Sequence, residues 1–454
     1  MLVLEYKAVV KRATSKAIDE AIRTNQFVRN KVLRYWMDNR GIKPSALKCG
    51  KKELYQYNTQ LRAEFKFVND LNSHACQASV ENVERAINRF FDNCKKNKPG
   101  KKGYPRFKKH SRSVEYKVSG WKLHPTKRRI TFTDKKGIGE LKLLGKWDIH
   151  QYPVELIKRV RIVRRADGYY VQFCVKIDNQ QEAPRTTSEI GIDVGLEYFY
   201  SDSNGNHQEN PRFLRKAEKD IKRVQRNIYK KKKGSSGRRK ARGVYARKHL
   251  KVTRQRNEHA KRLARNLTLA NAKVVLEDLN ISGLVRNHKL ALSISDASWY
   301  NFRQWLEYFG AKFGREIIAV PPHFTSQECS NCGARVQKSL STRTHSCPHC
   351  GYIEQRDVNA AKVILSRANG RGGQSQTNAS RDVPSTSFCW SQDLQKQGTS
   401  VTLESLGFIR GECQQNTATR YYRFSTATMA FNGTKHWCDR YITRYINKII
   451  GVPY

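Results

Sequence analysis

The sequence predicts a multidomain α+β protein, and three observations support that fold class. At 454 residues the chain is long enough for more than one domain with a buried core. Apolar residues recur at helical spacing within the first hundred residues, and a strand-rich segment follows to about residue 180. From Ile190 onward, short apolar runs alternate with helical patterns, which is typical of an α/β domain.

The composition indicates a polyanionic partner. The chain carries 87 Lys and Arg residues against 39 Asp and Glu residues, a formal net charge of +48. Such a chain repels itself unless a polyanion binds it, and counterion release favours nucleic acid. An acidic protein or an anionic membrane surface is the alternative. No run approaches the roughly 20 apolar residues of a membrane span, so we expect no membrane partner.

The N-terminal residues and the cysteines indicate a reducing cytosol. Residues 1–7 resemble an opening strand and lack the charged-then-apolar order of a signal peptide. Of the eleven cysteines, four form two tight pairs and seven are scattered, which fits reduced thiols better than a disulfide framework. We therefore expect a cytoplasmic protein.

Helices and then a sheet are predicted in the first 180 residues. Residues 15–39 and 76–90 carry apolar side chains at helical spacing, and the second stripe is interpreted as the packed seam of a helical bundle. Residues 160–163 and 169–177 flank a turn, and the alternation in the second strand predicts a hairpin with one buried face. If the opening strand joins this sheet, the helices between them form an insertion.

A long basic stretch follows a polar linker at 178–188. Residues 212–265 are dominated by Lys and Arg, and the Gly-Ser interruption at 234–237 predicts two helices joined by a flexible tip. A solvated charged face is the alternative, but such faces usually mix signs and acids are few here. Nucleic-acid contact is therefore favoured, through side chains near the tip: Lys231, Lys232, Arg238 and Arg239.

The remaining elements complete the predicted α/β domain. They are a hairpin near 198–206, strands at 273–276 and 317–320, and a helix at 299–313 whose aromatic residues are interpreted as core. Beyond Gly370 the chain is rich in Gly, Ser, Thr, Gln and Asn, so we expect disorder to about residue 400. In the last fifty residues we expect an amphipathic helix near 441–450.

A mixture of aromatic and basic side chains surrounds Pro105. Tyr104, Arg106 and Lys108 would suit a groove that tracks a nucleic-acid backbone while bases stack on the ring. An ordinary basic turn is the alternative, and the sequence leaves both open.

Two cysteine pairs predict a metal site. Cys329 and Cys332 form one C-x-x-C pair, and Cys347 and Cys350 form a second after fourteen residues. Four thiolates at this spacing suit one tetrahedral structural zinc ion, whereas a redox pair or chance is the alternative. His345 and His349 lie nearby, but four thiolates are the simpler ligand set. A ribbon this small would depend on its metal to fold.

Three acids occupy the ends of predicted elements. Asp193 and Glu277 end apolar strands, and Asp357 opens a helix. Such positions can converge in an α/β sheet, and three converging carboxylates need a cation. Two Mg²⁺ ions about 3.5–4 Å apart would suit phosphodiester hydrolysis. Taken singly, Asp193 could be a polar strand end, Glu277 an exposed strand end and Asp357 an N-cap. Composition and spacing therefore leave the nuclease interpretation open.

Taken together, these motifs resemble a known family. The segments occur in a fixed order: GIDVG at 191–195, LEDL at 276–279, TSQECSNCG at 325–333 and RDVNAA at 356–361. The sequence resembles the TnpB (OrfB) family encoded by insertion sequences, the relatives of type V CRISPR effector nucleases. ALSISDASW at 291–299 and YPRFKK at 104–109 also resemble that family. The resemblance covers roughly residues 1–370.

The resemblance implies an N-terminal wedge β-barrel with an inserted helical recognition domain, then an RNase H-like (RuvC) α/β nuclease domain with an inserted zinc ribbon. The implied boundaries are 1–12 for the first wedge strand, 13–98 for the recognition domain, 99–182 for the wedge barrel, 189–320 for the RuvC-like domain, 321–354 for the zinc ribbon, 355–370 for the final RuvC-like helix and 371–454 for the tail.

The resemblance also implies RNA-guided DNA cleavage in the prokaryotic cytosol. A guide RNA from the transposon's own end would pair with double-stranded target DNA while the protein reads a short flanking motif. Asp193, Glu277 and Asp357 would bind two Mg²⁺ ions, the four cysteines would bind one structural Zn²⁺, and a monomer is favoured. Two rivals remain: a strand-transferring transposase of RNase H-like fold, and a nuclease-dead regulator that binds nucleic acid.

Overall fold

The computed structural model describes residues 2–39, 49–97, 100–177, 182–339 and 341–370 and has a mixed α+β fold. The described chain contains a seven-stranded sheet, a five-stranded sheet and a two-stranded sheet. Its described helices include none long and apolar enough to cross a membrane. The predictions for the tail, disorder to about residue 400 and a helix near 441–450, lie outside the described residues.

The opening strand lies inside the seven-stranded antiparallel sheet, whose order is β2-β6-β7-β1-β5-β4-β3. The strands are β1 (Leu2–Val9), β2 (Ser113–Tyr116), β3 (Trp121–Leu123), β4 (Arg129–Phe132), β5 (Gly139–Leu144), β6 (Ile157–Arg165) and β7 (Gly168–Val175). Leu2 pairs with Val175, and Lys7 pairs with both Tyr170 and Leu144. The sequence between β1 and β2 is therefore an insertion into this sheet.

The described residues of the insertion form four helices. They are α1 (Arg12–Asn39), α2 (Lys51–Glu64), α3 (Lys66–Asn69) and α4 (Ser73–Lys95). The helical predictions for 15–39 and 76–90 are confirmed, with both helices longer than their apolar stripes. The sequence did not reveal α2, which buries few residues, chiefly Leu54 and Leu61 among its apolar side chains.

The prediction of one buried face for the β6–β7 hairpin is wrong. Every residue from Tyr170 to Val175 is buried, including Gln172. The arginines of β6 are neutralised where they are covered: Arg161 pairs with Glu115 of β2, and Arg159 pairs with Glu115 and with Glu81 of α4. Local alternation of polarity does not reveal such long-range partners.

The Glu81 ion pair predicts a loss of stability in acid. Burial alone would raise the pKa of Glu81, but hydrogen bonds from Lys117 and Arg159 outweigh it and lower the pKa to about 2 from 4.5. Stability from this carboxylate is present above the unfolded pKa and is lost as the pH falls through the folded pKa. Because the carboxylate is only partly buried, solvent screening reduces this contribution, and we expect about 1–2 kcal/mol, lost between about pH 4.5 and 2.

Urea unfolding at pH 6 and at pH 2.5 would measure this loss for the wild type and for Glu81→Gln. The variant should be less stable at pH 6, and its stability should fall less between the two pH values. Parallel losses in the two proteins would show that Glu81 is not the group that titrates.

Three adjacent strands of the five-stranded sheet are parallel, and the strand order is β10-β9-β8-β11-β12. The strands are β8 (Glu189–Asp193), β9 (Tyr198–Asp202), β10 (His207–Glu209), β11 (Lys273–Glu277) and β12 (Glu316–Val320). Strand β11 runs parallel to β8 and to β12, whereas β9 and β10 form the predicted antiparallel hairpin. The carboxyl ends of β8, β11 and β12 therefore meet at one edge of the sheet.

Helices pack on this sheet, and two short strands form a separate ribbon. The helices are α5 (Phe213–Tyr229), α6 (Ser236–Ala270), α7 (Ile281–Leu284), α8 (Ala291–Ala297), α9 (Trp299–Phe313) and α10 (Arg356–Ala368), and the ribbon strands are β13 (Thr344–Ser346) and β14 (Ile353–Gln355). The helices that pack on the sheet are α6, α9 and α10. The aromatic residues of α9 are largely buried, as predicted for core. The basic stretch forms two packed helices, α5 and α6, as predicted.

Candidate functional site

Asp193 and Glu277 lie side by side at the carboxyl edge of the five-stranded sheet. Asp193 is the last residue of β8, and Glu277 is the last residue of β11. The residues before them, Ile192 and Leu276, are register partners in the parallel pair. Both acids are partly buried. The predicted strand-end placement is therefore present, and neither acid is a fully exposed strand end.

Helix α10 brings Asp357 to the same place. The helix packs on β8 so closely that a Cβ atom at Gly191 would lie 2.1 Å from the carbonyl oxygen of Ala361. Only glycine permits this approach. Asp357 lies in the first turn of α10, and the N-cap is Gln355. The interpretation of Asp357 as an N-cap is therefore wrong, and its carboxylate is available for another role.

The three acids influence one another electrostatically. Burial, followed by the charges of Glu277 and Asp357, raises the pKa of Asp193 well above its ordinary value, while Arg356 opposes the shift. Burial raises the pKa of Glu277 against the opposing effects of the Thr325 hydroxyl and the Arg367 charge. Like charges held this close favour protonation unless a cation neutralises them. The acids thus form one electrostatic cluster, here called the acid site.

The acid site is wider than a closed metal site. Within the described residues, the four cysteines bring all their donor atoms within 4.8 Å of one another, and the three carboxylates do not. Carboxylate oxygens are hard donors and suit a hard divalent cation.

Two arginines that sequence reasoning missed contact the acid site. Arg356 donates to Asp357 through Nε at 3.0 Å. Arg343, from the segment between the cysteine pairs, lies with Nη1 3.9 Å from Asp357 Oδ2 and pairs with Glu197 at 2.5 Å. Arg356 was visible within the RDVNAA segment, whereas nothing in the sequence marks Arg343. These guanidinium groups partly offset the negative charge of the acid site.

The four predicted cysteines form one cluster. The Sγ atoms of Cys329 and Cys350 are 3.7 Å apart, and those of Cys332 and Cys347 are 3.6 Å apart. Four sulfurs arranged about one ion at roughly 2.3 Å would be separated by about 3.8 Å. The cluster therefore fits a tetrahedral metal ion, and each C-x-x-C segment forms one tight turn.

The two turns have matching backbone geometry. In the first, Gly333 N donates to Cys329 O, and in the second, Gly351 N donates to Cys347 O, each at 2.9 Å. Both glycines have positive φ, +76° and +70°, the left-handed conformation that side chains disfavour. His345 is fully buried in β13, and His349 lies between the two cysteines of the second turn. The four thiols remain the simplest ligand set.

The predicted nucleic-acid residues fall into two groups. Tyr104 is partly buried, and its ring packs against Phe90 and Trp36, so it is not a freely exposed stacking surface. Arg106 and Lys108 are exposed, and α1 fixes their backbone because Arg29 donates to Arg106 O at 3.1 Å. Phe107, which is 46% exposed, is the more accessible ring.

The second group lies at the tip of the α5–α6 pair. Lys231, Lys232 and Arg239 are exposed. Arg238 is partly buried and donates to Lys231 O at 3.0 Å, so it helps to hold the tip. Ser235 Oγ accepts a hydrogen bond from Arg238 N and caps α6. The predicted break between two helices is therefore a capped turn, and exposed basic side chains lie in it and beside it.

Two family models match the part of the chain that forms the acid site and the cysteine cluster. The OrfB_IS605 model, described as "Probable transposase", matches residues 172–288. The model described as "Cas12f1-like, TNB domain" matches residues 299–364. Among solved structures, "Cryo-EM structure of the Cas12f1-sgRNA-target DNA complex" is similar with a TM-score of 0.48 and 13% identity, covering 79% of this chain and 83% of that chain.

Curated relatives extend the similarity over most of the chain. A Streptomyces pristinaespiralis protein named "Putative RNA-guided DNA endonuclease" is 33% identical over 329 residues, covering 70% of this chain and 78% of the relative. Escherichia coli K12 has a relative named "Putative RNA-guided DNA endonuclease InsQ", 25% identical over 358 residues, covering 75% of this chain and 86% of the relative. The chain therefore belongs to the TnpB (OrfB) family of RNA-guided endonucleases encoded by insertion sequences.

Proposed function

We propose that this protein carries a guide RNA from its transposon, opens double-stranded DNA beside a short flanking motif and hydrolyses it with Mg²⁺. The observation that carries the proposal is the convergence of Asp193, Glu277 and Asp357 at one sheet edge. Family membership supplies the guided reaction, and the acid site supplies the place for hydrolysis. The excess of positive charge supports the nucleic-acid partners.

Each group at the acid site has a distinct role. Asp193, Glu277 and Asp357 would hold two Mg²⁺ ions, which when bound activate water and stabilise the leaving oxygen of a phosphodiester. Thr325 fixes one oxygen of Glu277, and Arg356 fixes one oxygen of Asp357. The side chain of Arg343 is 54% exposed, so it can turn from Asp357 towards a phosphate held at the acids.

We propose the finer architecture on the same basis. The seven-stranded sheet is the wedge domain, formed by residues 1–12 and 99–182, and residues 13–98 are the helical recognition domain inserted into it. Residues 189–320 and 355–370 form the RNase H-like domain. Residues 321–354 form a zinc ribbon in which the cysteine cluster holds one structural Zn²⁺. The spacing of the sulfurs supports that ion.

The proposal is tested by recovering the guide and using it. RNA that co-purifies with the protein would be sequenced, and a matching guide would be tested on plasmids with a randomised sequence beside the target. Cleavage that requires the guide, one flanking motif and Mg²⁺ is the expected result. Joining of donor ends to target DNA would instead identify a strand-transferring transposase, and binding without cutting would identify a regulator.

Charge removal at the α5–α6 tip is expected to weaken nucleic-acid binding. Lys231 and Lys232 lie in the connection before α6, Arg239 lies in the first turn of α6, and all three side chains are exposed. Each neutralised phosphate adds about 0.7–0.9 to the slope of log affinity against log salt concentration. The triple variant K231A/K232A/R239A should bind its guide RNA less tightly, with a slope shallower by about 2. Filter binding between 50 and 300 mM salt measures both quantities.

The matched control for this variant keeps the charge. K231R/K232R/R239K should bind with the affinity and salt slope of the wild type. If the alanine variant also retains the wild-type slope, the tip faces solvent in the complex and not the nucleic-acid backbone.

A further inference from the structure

One short segment connects the acid site to the cysteine cluster. Thr325 is buried, and its Oγ1 donates a hydrogen bond of 2.5 Å to Glu277 Oε1. Four residues later, Cys329 begins the first turn of the cysteine cluster. We call residues 328–334 the first knuckle. The residue that orients one acid is therefore part of the chain segment that enters the first knuckle.

A second connection reaches the helix that carries Asp357. Asn359 is fully buried in α10, two residues after the acid. Its Nδ2 donates to Glu328 O at 2.7 Å, and its Oδ1 accepts from Ser330 N at 2.9 Å. One amide thus satisfies backbone groups on both sides of Cys329. The first turn of α10 is thereby fastened to the first knuckle.

The connecting segment is constrained along its length. Phe324 has φ of +62°, a conformation that non-glycine residues rarely adopt, and Arg335 lies over its ring at 3.7 Å. Arg367 of α10 donates to His323 O and to Glu328 Oε2, each at 2.7 Å. The left-handed backbone conformation of Phe324 persists only where the surrounding structure fixes it. The position of Thr325 therefore depends on both α10 and the first knuckle.

We propose that Thr325 and Asn359 are positioning residues through which the first knuckle sets the geometry of the acid site for divalent cations. This inference rests on the proposed function, because it assigns metal binding to the acids. Removing a residue that hydrogen-bonds a metal ligand typically lowers the affinity for the metal by about 10- to 100-fold. The cysteine cluster then contributes to the acid site as well as to the stability of its own segment.

The central test replaces one hydroxyl with a methyl group and keeps the branched shape of the side chain. Thr325→Val should weaken Mn²⁺ binding by the full-length, zinc-loaded protein about 10- to 100-fold, measured by electron paramagnetic resonance of the free ion. The Mg²⁺ concentration for half-maximal guided cleavage should rise by a similar factor. Thr325→Ser, which keeps the hydroxyl, should restore both values. Zinc content and melting temperature should stay at wild-type values.

The matched control is another buried threonine. Thr268 of α6 is fully buried and donates to Ala264 O at 2.8 Å. Thr268→Val makes the same chemical change within α6, where the hydroxyl bonds to the helix backbone, and should leave Mn²⁺ binding unchanged. Asn359→Leu provides a second variant if Thr325→Val does not fold, and it should weaken Mn²⁺ binding by a comparable factor.

The outcomes separate this inference from the proposed function. Wild-type Mn²⁺ affinity in both Thr325→Val and Asn359→Leu would overturn the inference, as would an equal loss in Thr268→Val. If the wild type binds Mn²⁺ through the acids but never cleaves guided DNA, the proposed function fails and the positioning role stands.

Discussion

Replacing Asp193 with asparagine should abolish guided DNA cleavage while guide and target binding persist. The substitution removes one charge at the point where three carboxylates meet, and metal stabilisation of a phosphodiester transition state contributes several kcal/mol. We expect a loss of at least about 10³-fold, which corresponds to roughly 4 kcal/mol. Single-turnover cleavage with saturating guide complex measures the rate, and a gel-shift assay measures binding.

The same variant should not be less stable than the wild type without metal. Burial and the neighbouring acids raise the pKa of Asp193, so its charge opposes folding at pH values above its unfolded pKa. Asparagine removes that repulsion. The metal-free variant should therefore melt at the wild-type temperature or higher, whereas added Mg²⁺ should stabilise the wild type and not the variant.

Asp278 offers a matched control for this experiment. It follows Glu277 directly, but its side chain is 55% exposed and forms an ion pair with Arg303. Asp278→Asn changes the same chemical group one residue from the acid site and should leave cleavage within about threefold of wild type, because surface ion pairs contribute little. Cleavage by Asp193→Asn at a comparable rate would contradict the proposed site.

Loss of one buried cysteine should have the second largest effect. Cys347 is 1% exposed and lies in the cluster with three other thiols. Binding of structural zinc contributes about 10–16 kcal/mol in small zinc domains, so Cys347→Ser should unfold the ribbon. We expect zinc content to fall from one ion per chain to none, new protease cleavage within residues 321–354, and loss of DNA cleavage.

An exposed cysteine outside the cluster controls for the loss of a thiol. Cys94 lies near the end of α4 and is exposed, so Cys94→Ser should keep one zinc ion and full cleavage. A Cys347→Ser variant that retains zinc and resists protease would show that the four thiols are not the ligand set of a structural ion.

The sequence predicted the parts of the site that depend on local pattern. Asp193 and Glu277 end apolar runs, and parallel strands bring such ends together. The cysteine spacing was visible in the chain, and the glycines that allow each turn follow directly. Resemblance to a family joined these separate features into one site.

Other features depend on contacts between distant segments. Thr325 meets Glu277, and Arg343 meets Glu197 and Asp357, only because the ribbon folds back on the sheet. Tyr104, a candidate for base stacking, instead packs against α1 and α4. Neither periodicity nor composition carries information about which side chain covers another, so these partners could not be found before the fold was known.

The central place of β1 in its sheet has a consequence for synthesis on the ribosome. Lys7 pairs with Leu144 and Leu2 pairs with Val175, so β1 gains one neighbour when β5 has been made, and its pairing is complete only after β7 has been made. At about 5–20 residues per second this delay is roughly 9 to 35 seconds. Helices α1 to α4 form from local contacts and can be complete within that time. The nascent chain would thus expose an unpaired strand beside a finished helical unit, and its basic residues would be open to the guide transcript before the sheet closes.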